Sequence, residues 1–287
     1  MIRRVVSIAL CALLVPAGAV ASPQAGPPTV DADLQAGFRA MYALDFAASE
    51  RHFSEYRKRN PDDAFGYAAD AARVLFTELH RLGALDAELY VDDKHLLAET
   101  RGKPDKDVKR RIEELTAKAQ KVARDALEQD PANENAMFAL AFANGLEADY
   151  AFLIEKDRRA AAKPGRLGYD YAKRLIEKNA EFNDAYIWTG VTNYVVASLP
   201  FPIRWLAKLR GYPGSKDTAI KDLRRASERG SLLKPYARIL LAVTFLRENR
   251  KDDARKLLES LAAEFPANPL FQKHARRLAR QQPDQKN

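Results

Sequence analysis

The chain has 287 residues, 47% of them apolar, and its 47 lysines and arginines against 39 acidic residues give a formal charge of +8. These proportions exclude an intrinsically disordered chain and leave ample length for a large core. A single cysteine, Cys11, excludes intrachain disulfides, and the moderate basic excess fits anionic surfaces or acidic partners.

In chain order, the first element is Met1-Ile2-Arg3-Arg4, followed by an apolar run from Val5 to Val15, then Pro16 and the triplet Ala19-Val20-Ala21 before Ser22. A basic start, an apolar centre too short to span a bilayer comfortably and an A-x-A site predict a secretory signal peptide over 1–21. Cleavage there leaves a mature chain without cysteine, lowers the charge from +8 to +6 through loss of Arg3 and Arg4, and sends the protein to the periplasm or outside the cell. No later segment reads as long and apolar enough to cross a membrane. Residues 22–31 read as a linker to a body covering 32–287.

Caps and breakers predict helices over 32–44, 46–59, 62–82, 105–129, 133–157, 166–179, 184–198, 216–229, 235–248, 251–264 and 268–281, with Pro131, Pro164, Pro235 and Pro266 at breaks. Pro164-Gly165-Arg166-Leu167-Gly168 reads as a loop entering a helix. Sustained two-residue alternation is absent throughout, so the fold class is all-α. Two insertions interrupt the regular spacing, at 83–104, with Asp92-Asp93 and Gly102-Lys103-Pro104, and at 199–214. The last helix sets Leu270, Phe271, Ala275 and Leu278 on one side and Lys273, Arg276, Arg277 and Arg280 elsewhere, the pattern of a solvating cap.

The body repeats itself. Leu44 to Phe53, closing on Asn60-Pro61, is echoed by Ala119, Ala123, Ala126 and Asp130-Pro131, and again by Ala254, Leu258, Leu261 and Phe265-Pro266. Aligned in this register, one column of small residues reads Gly37, Ala71, Ala141, Gly190, Ala242 and a second reads Ser49, Ala119, Gly168, Ala219, Ala254. Small side chains at fixed points let two helices cross closely, and this pattern resembles the tetratricopeptide repeat (TPR) superfamily. The resemblance implies an α-solenoid of about five helix pairs plus the C-terminal capping helix.

In such a superhelix the first helix of each pair lines a concave wall. The register places there Phe38, Tyr42, Phe65, Phe76, Phe138, Phe142, Val191, Tyr194, Tyr236 and Ile239, an almost wholly apolar set and the candidate binding groove. Only Asn135 and Arg247 could serve a carboxylate clamp, at distant repeats, which disfavours capture of a peptide C-terminus. So much apolar surface requires a cover: a ligand, a partner segment or the insertions. In the second insertion Ile203, Trp205, Leu206 and Leu209 share a broad side of a short helix, with Arg204 and Lys208 away from it. That piece is expected to plug the groove, burying Trp205 near Tyr194 and Val191, or else to lie on an anionic membrane surface.

Signatures of catalysis do not accompany the repeat. His52, His80, His95 and His274 have no partners at zinc-ligand spacing, and the chain contains no H-E-x-x-H, G-x-S-x-G or phosphate-loop pattern. The expectation is a protein without catalytic residues, metal or cofactor. It is expected to act as a binding scaffold of the cell envelope through a protein or extended polypeptide, or alternatively as a periplasmic carrier of a small hydrophobic molecule or lipid in the groove. Nucleic acid is not expected as a partner of an exported chain.

Overall fold

A computed structural model describes residues 31–85 and 102–280, and the expected signal segment, most of the linker and the greater part of the first insertion lie outside that range. The described residues form twelve α-helices and no strand: α1 (Ala32–Tyr42), α2 (Phe46–Arg59), α3 (Ala64–Arg81), α4 (Lys106–Gln129), α5 (Glu134–Asp149), α6 (Arg158–Lys178), α7 (Tyr186–Ala197), α8 (Phe201–Leu209), α9 (Lys216–Arg229), α10 (Lys234–Arg247), α11 (Lys251–Glu264) and α12 (Pro269–Arg280). They stack as five pairs, α1/α2, α3/α4, α5/α6, α7/α9 and α10/α11, with α12 packed on α11 as the cap and α8 inserted within the fourth pair. The all-α solenoid expected from the sequence is therefore the observed architecture.

The repeat has a local cause that recurs at each pair. The second helix ends where the N–H of Asn60, Asp130, Asn179, Gly230 or Phe265 donates to the carbonyl four residues back. Three residues later Asp63, Asn133, Phe182 and Asn268 donate in turn to the carbonyls of Asn60, Asp130, Asn179 and Phe265. Asp63, Asn133 and Asn268 also supply side-chain oxygens that accept from Phe65, Ala136 and Leu270 N–H, so one short turn both closes a helix and caps the next.

All ten small residues of the two columns are buried. Two pairs show the crossing directly. A Cβ on Gly168 would stand 3.1 Å from the Ala141 carbonyl oxygen. A Cβ on Gly190 would stand 2.8 Å from Leu223 Cγ and 3.2 Å from the Ala219 carbonyl oxygen. The columns thus face each other at the points where backbones meet, which is why neither admits a large side chain.

One buried ionic cluster ties the first two pairs. Asp70, on α3, sits within 2.9 Å of Arg57 Nη2 and 2.8 Å of Arg73 Nε, with Arg111 of α4 at 3.7 Å. Nearby, Glu78 binds Arg81 at 2.6 Å and accepts the Asp105 N–H at 3.0 Å, fixing together the two ends of the first insertion.

Two expectations need correction. Pro164 does not break a helix: α6 begins at Arg158 and carries Pro164 inside it, so the Pro164–Gly168 stretch is helical. The break lies earlier, where a π-helical turn at Tyr150–Ile154 ends α5, Lys156 takes φ 59° and Asp157 caps the next helix through Arg159 and Ala160 N–H. Proline removes only the bond to the carbonyl of Ala160, an exposed residue that water can serve. Second, Glu134–Ile154 is, by length and composition, apolar enough to cross a membrane, but 67% of its most apolar stretch is buried against neighbouring helices. It is the central helix of the stack.

Candidate functional site

The residues assigned to a concave groove meet one another instead of facing solvent. Phe38 is 2% and Phe142 4% exposed, and Tyr42, Phe65, Phe138 and Tyr194 are also buried, while Phe76, Val191, Tyr236 and Ile239 are partly buried. The Phe142 ring lies 6.3 Å from Phe38, 5.5 Å from Phe65, 6.3 Å from Phe138 and 5.8 Å, edge to face, from Trp188. Phe76 of the second pair meets Tyr236 of the fifth at 5.8 Å, also edge to face. Such rings from successive first helices form a continuous aromatic centre.

What covers the wall is the far end of the solenoid. Tyr42 of α1 donates its hydroxyl to the Leu232 carbonyl at 3.3 Å and packs its ring 5.7 Å from Phe265. Its own carbonyl accepts from Asn268 Nδ2 at 2.9 Å, a bond buried on both sides, and Arg39 lies over the Phe265 ring. Burial drives the Tyr42 hydroxyl well above the usual phenol range. The first pair thus touches the turns on either side of the fifth, and the superhelix closes on itself. A further cross-link runs from Tyr236 to Asp149, 3.2 Å apart; burial raises the Asp149 carboxyl to about 7 despite that hydrogen bond.

The second insertion does not plug the wall. Its helix α8 has no buried residue, and Trp205 is 57% exposed, far from the burial expected of a plug. Phe201, Ile203, Leu206 and Leu209 are exposed beside it, and Val195 near the end of α7 is exposed as well. The amphipathic division read from the sequence is present but inverted in use: the half-buried residues are Arg204 and Ala207, and the apolar side faces out. Arg204 Nη1 donates to the Ala197 carbonyl at 3.2 Å. At the other end, Tyr212 N–H donates to the Ala207 carbonyl at 3.1 Å, its hydroxyl to Asp170 at 3.1 Å, and its ring packs 5.1 Å from Tyr169. Burial, helped by Asp170, pushes the Tyr212 hydroxyl up to about 12. Gly211 and Gly214, at φ 89° and 61°, make the turns that bring Tyr212 back.

A third surface was not foreseen. An open groove between α9, α10 and α11 has Leu241, Phe245 and Leu257 at its floor and Arg224, Glu228, Lys234, Arg238, Asp253, Lys256 and Ser260 around it. Arg224 and Arg250 lie over the Phe245 ring at 5.9 and 4.2 Å. No repeat column points to it, because it is lined by positions of α9, α10 and α11 to which the register assigns no fixed residue type.

Among the residues weighed for chemistry, His52 pairs with Asp33 at 2.9 Å, His80 packs on Phe46 at 5.7 Å and His274 is buried in α12, each on a different helix; His95 lies outside the described residues, as do Asp92 and Asp93. Asn135 is exposed on α5, and Arg247 lies over the Tyr194 ring at 6.0 Å.

No protein-family model matches the chain, and no curated protein does. Among solved structures, a thermophilic TPR protein from Thermus thermophilus is similar at 16% identity and a TM-score of 0.46, over 86% of this chain and 97% of that one. The tetratricopeptide-like character of this all-α solenoid rests on the chain's own features: ten buried small residues in two facing columns, repeated cap-sharing turns and five stacked helix pairs with a closing helix.

Proposed function

We propose that this protein is a non-enzymatic binding scaffold of the cell envelope that acts through protein–protein interaction on its outer surface. The observation that supports this reading is the closure of the solenoid: the aromatic wall is consumed as core, so contact with a polypeptide falls to the outside. The groove between α9, α10 and α11 is the candidate contact surface: Arg224, Glu228, Lys234, Arg238, Asp253 and Lys256 surround the partly exposed Leu257, with Leu241 and Phe245 buried beneath. The same closure argues against a carrier of small hydrophobic ligands, because rings in mutual contact occupy the space a ligand would need. The signal-like segment Met1–Ala21 supports the envelope location.

The test is site-specific photocrosslinking in the host cell from Glu228 and Lys256 on the groove rim, with Lys163 on α6 as an exposed control. A discrete polypeptide adduct from the rim positions and none from the control is expected. Equal or no adducts at all three positions would refute the groove as the partner site. Recovery of the chain in the cytoplasm with Met1 intact would refute the envelope location.

A further inference from the structure

The exposed face of α8 is a built feature with its own chemistry, separate from the groove used above. Five large apolar side chains on a nine-residue helix point outward, Phe201 at 69% exposure and Leu209 at 65% being the most open. The Arg204 bond to Ala197 and the Tyr212 contacts with Asp170 and Tyr169 anchor both ends and set Arg204 and Ala207 toward the protein, with the apolar face outward.

Charge accompanies the apolar face. From Leu199 to Lys216 the chain carries Arg204, Lys208, Arg210 and Lys216 and no acidic residue. Lys208 and Arg210 are exposed at the edges of the face, with no described carboxylate in ion-pair range. Pro200 and Pro202 remove two backbone donors from the start of the helix, and on the outward apolar face the indole N–H of Trp205 is the one polar side-chain atom. A convex helix with an indole on its apolar side and cations along the boundary matches a surface that is negative outside and apolar a few ångströms beneath. Anionic lipid headgroups over acyl chains have that order.

We propose that α8 seats Phe201, Trp205, Leu206 and Leu209 in the interfacial region of an anionic lipid leaflet, with Lys208 and Arg210 against the headgroups. The helix then attaches the solenoid to a membrane through residues that take no part in the outer groove. This goes beyond the scaffold reading and uses different residues, so either can fail alone.

The test is flotation of the chain beginning at Ser22 with phosphatidylcholine vesicles, with and without phosphatidylglycerol, while tryptophan emission is recorded, the buried Trp188 giving a constant background to the exposed Trp205. Binding to the anionic vesicles with a blue shift, weakened by salt and on the order of tenfold weaker on neutral vesicles, is expected. The L206E/L209E variant, whose substitutions lie on exposed positions, should lose more than about tenfold in affinity with an unchanged helical signal. Failure of the unsubstituted chain to bind anionic vesicles would overturn the proposal. So would equal binding by L206E/L209E, or a concentration-dependent dimer that shields Trp205 in the absence of lipid.

Discussion

Replacing Phe142 with alanine tests whether the aromatic wall is core or binding surface. The ring is 4% exposed and contacts Phe38, Phe65, Phe138 and Trp188, which belong to the first, second, third and fourth pairs. No one of these neighbours can move in without leaving its own partners, so collapse into the vacated space is limited. Loss of the ring's transfer energy plus the cavity should cost about 3–5 kcal/mol. For a chain of this size that lowers the melting temperature by about 6–20 °C. Thermal and urea denaturation followed by far-ultraviolet circular dichroism measure it, with Phe201→Ala on the open face of α8 as the comparison, expected within about 0.5 kcal/mol of the parent. A Phe142→Ala cost below about 1 kcal/mol, or equal effects of the two substitutions, would show that the wall is not packed as described and would restore an open groove.

Gly190→Leu should destabilise by about 1–3 kcal/mol or more, since its side chain must displace Leu223 and part α7 from α9; an unchanged melting temperature would contradict the crossing geometry. Asp70→Asn should cost about 3 kcal/mol in urea unfolding, because the partly buried Arg57 and Arg73 guanidinium groups lose the buried charge that compensates them. Burial holds Asp149 at about 7 and Asp184 at about 6, both above the ordinary carboxylate value near 3.8. The folded state therefore retains these protons when the unfolded chain has released them, and their contribution to stability is present at low pH and declines as pH rises from about 4 to about 7. Denaturation across that range should show a smaller decline in the D149N/D184N variant than in the parent; identical slopes would reject the burial of these groups.

The features that the sequence revealed are those set within one helix pair. A glycine or alanine is required wherever two backbones cross, and Asn or Asp before a proline both ends one helix and prepares the next, so Gly190, Ala219 and Asp130-Pro131 carry their structural meaning in their own neighbourhood. Pro164 misled because the cost of a proline depends on whether the orphaned carbonyl reaches water, which only the packed structure decides. Closure of the wall could not be read for a different reason. It depends on small rotations between successive pairs, and these accumulate until Tyr42 meets Asn268, more than two hundred residues later in the chain. The direction in which α8 faces was hidden similarly: periodicity divides a helix into two sides but does not say which one is turned to the protein, and here Arg204 and Tyr212 reverse the usual choice.

The meeting of Tyr42 with Asn268 also limits how the array can change in length. An open stack of helix pairs tolerates the gain or loss of a unit, since each unit touches only its neighbours and the ends remain free. Here the ends meet, and the number of units that brings Tyr42 opposite Leu232 and Asn268 is fixed by the rotation from pair to pair. Duplicating or deleting one pair would carry α1 past its contact and expose the aromatic centre, so geometry sets the copy number, a constraint that does not bear on segments such as 199–214 outside the ring of pairs.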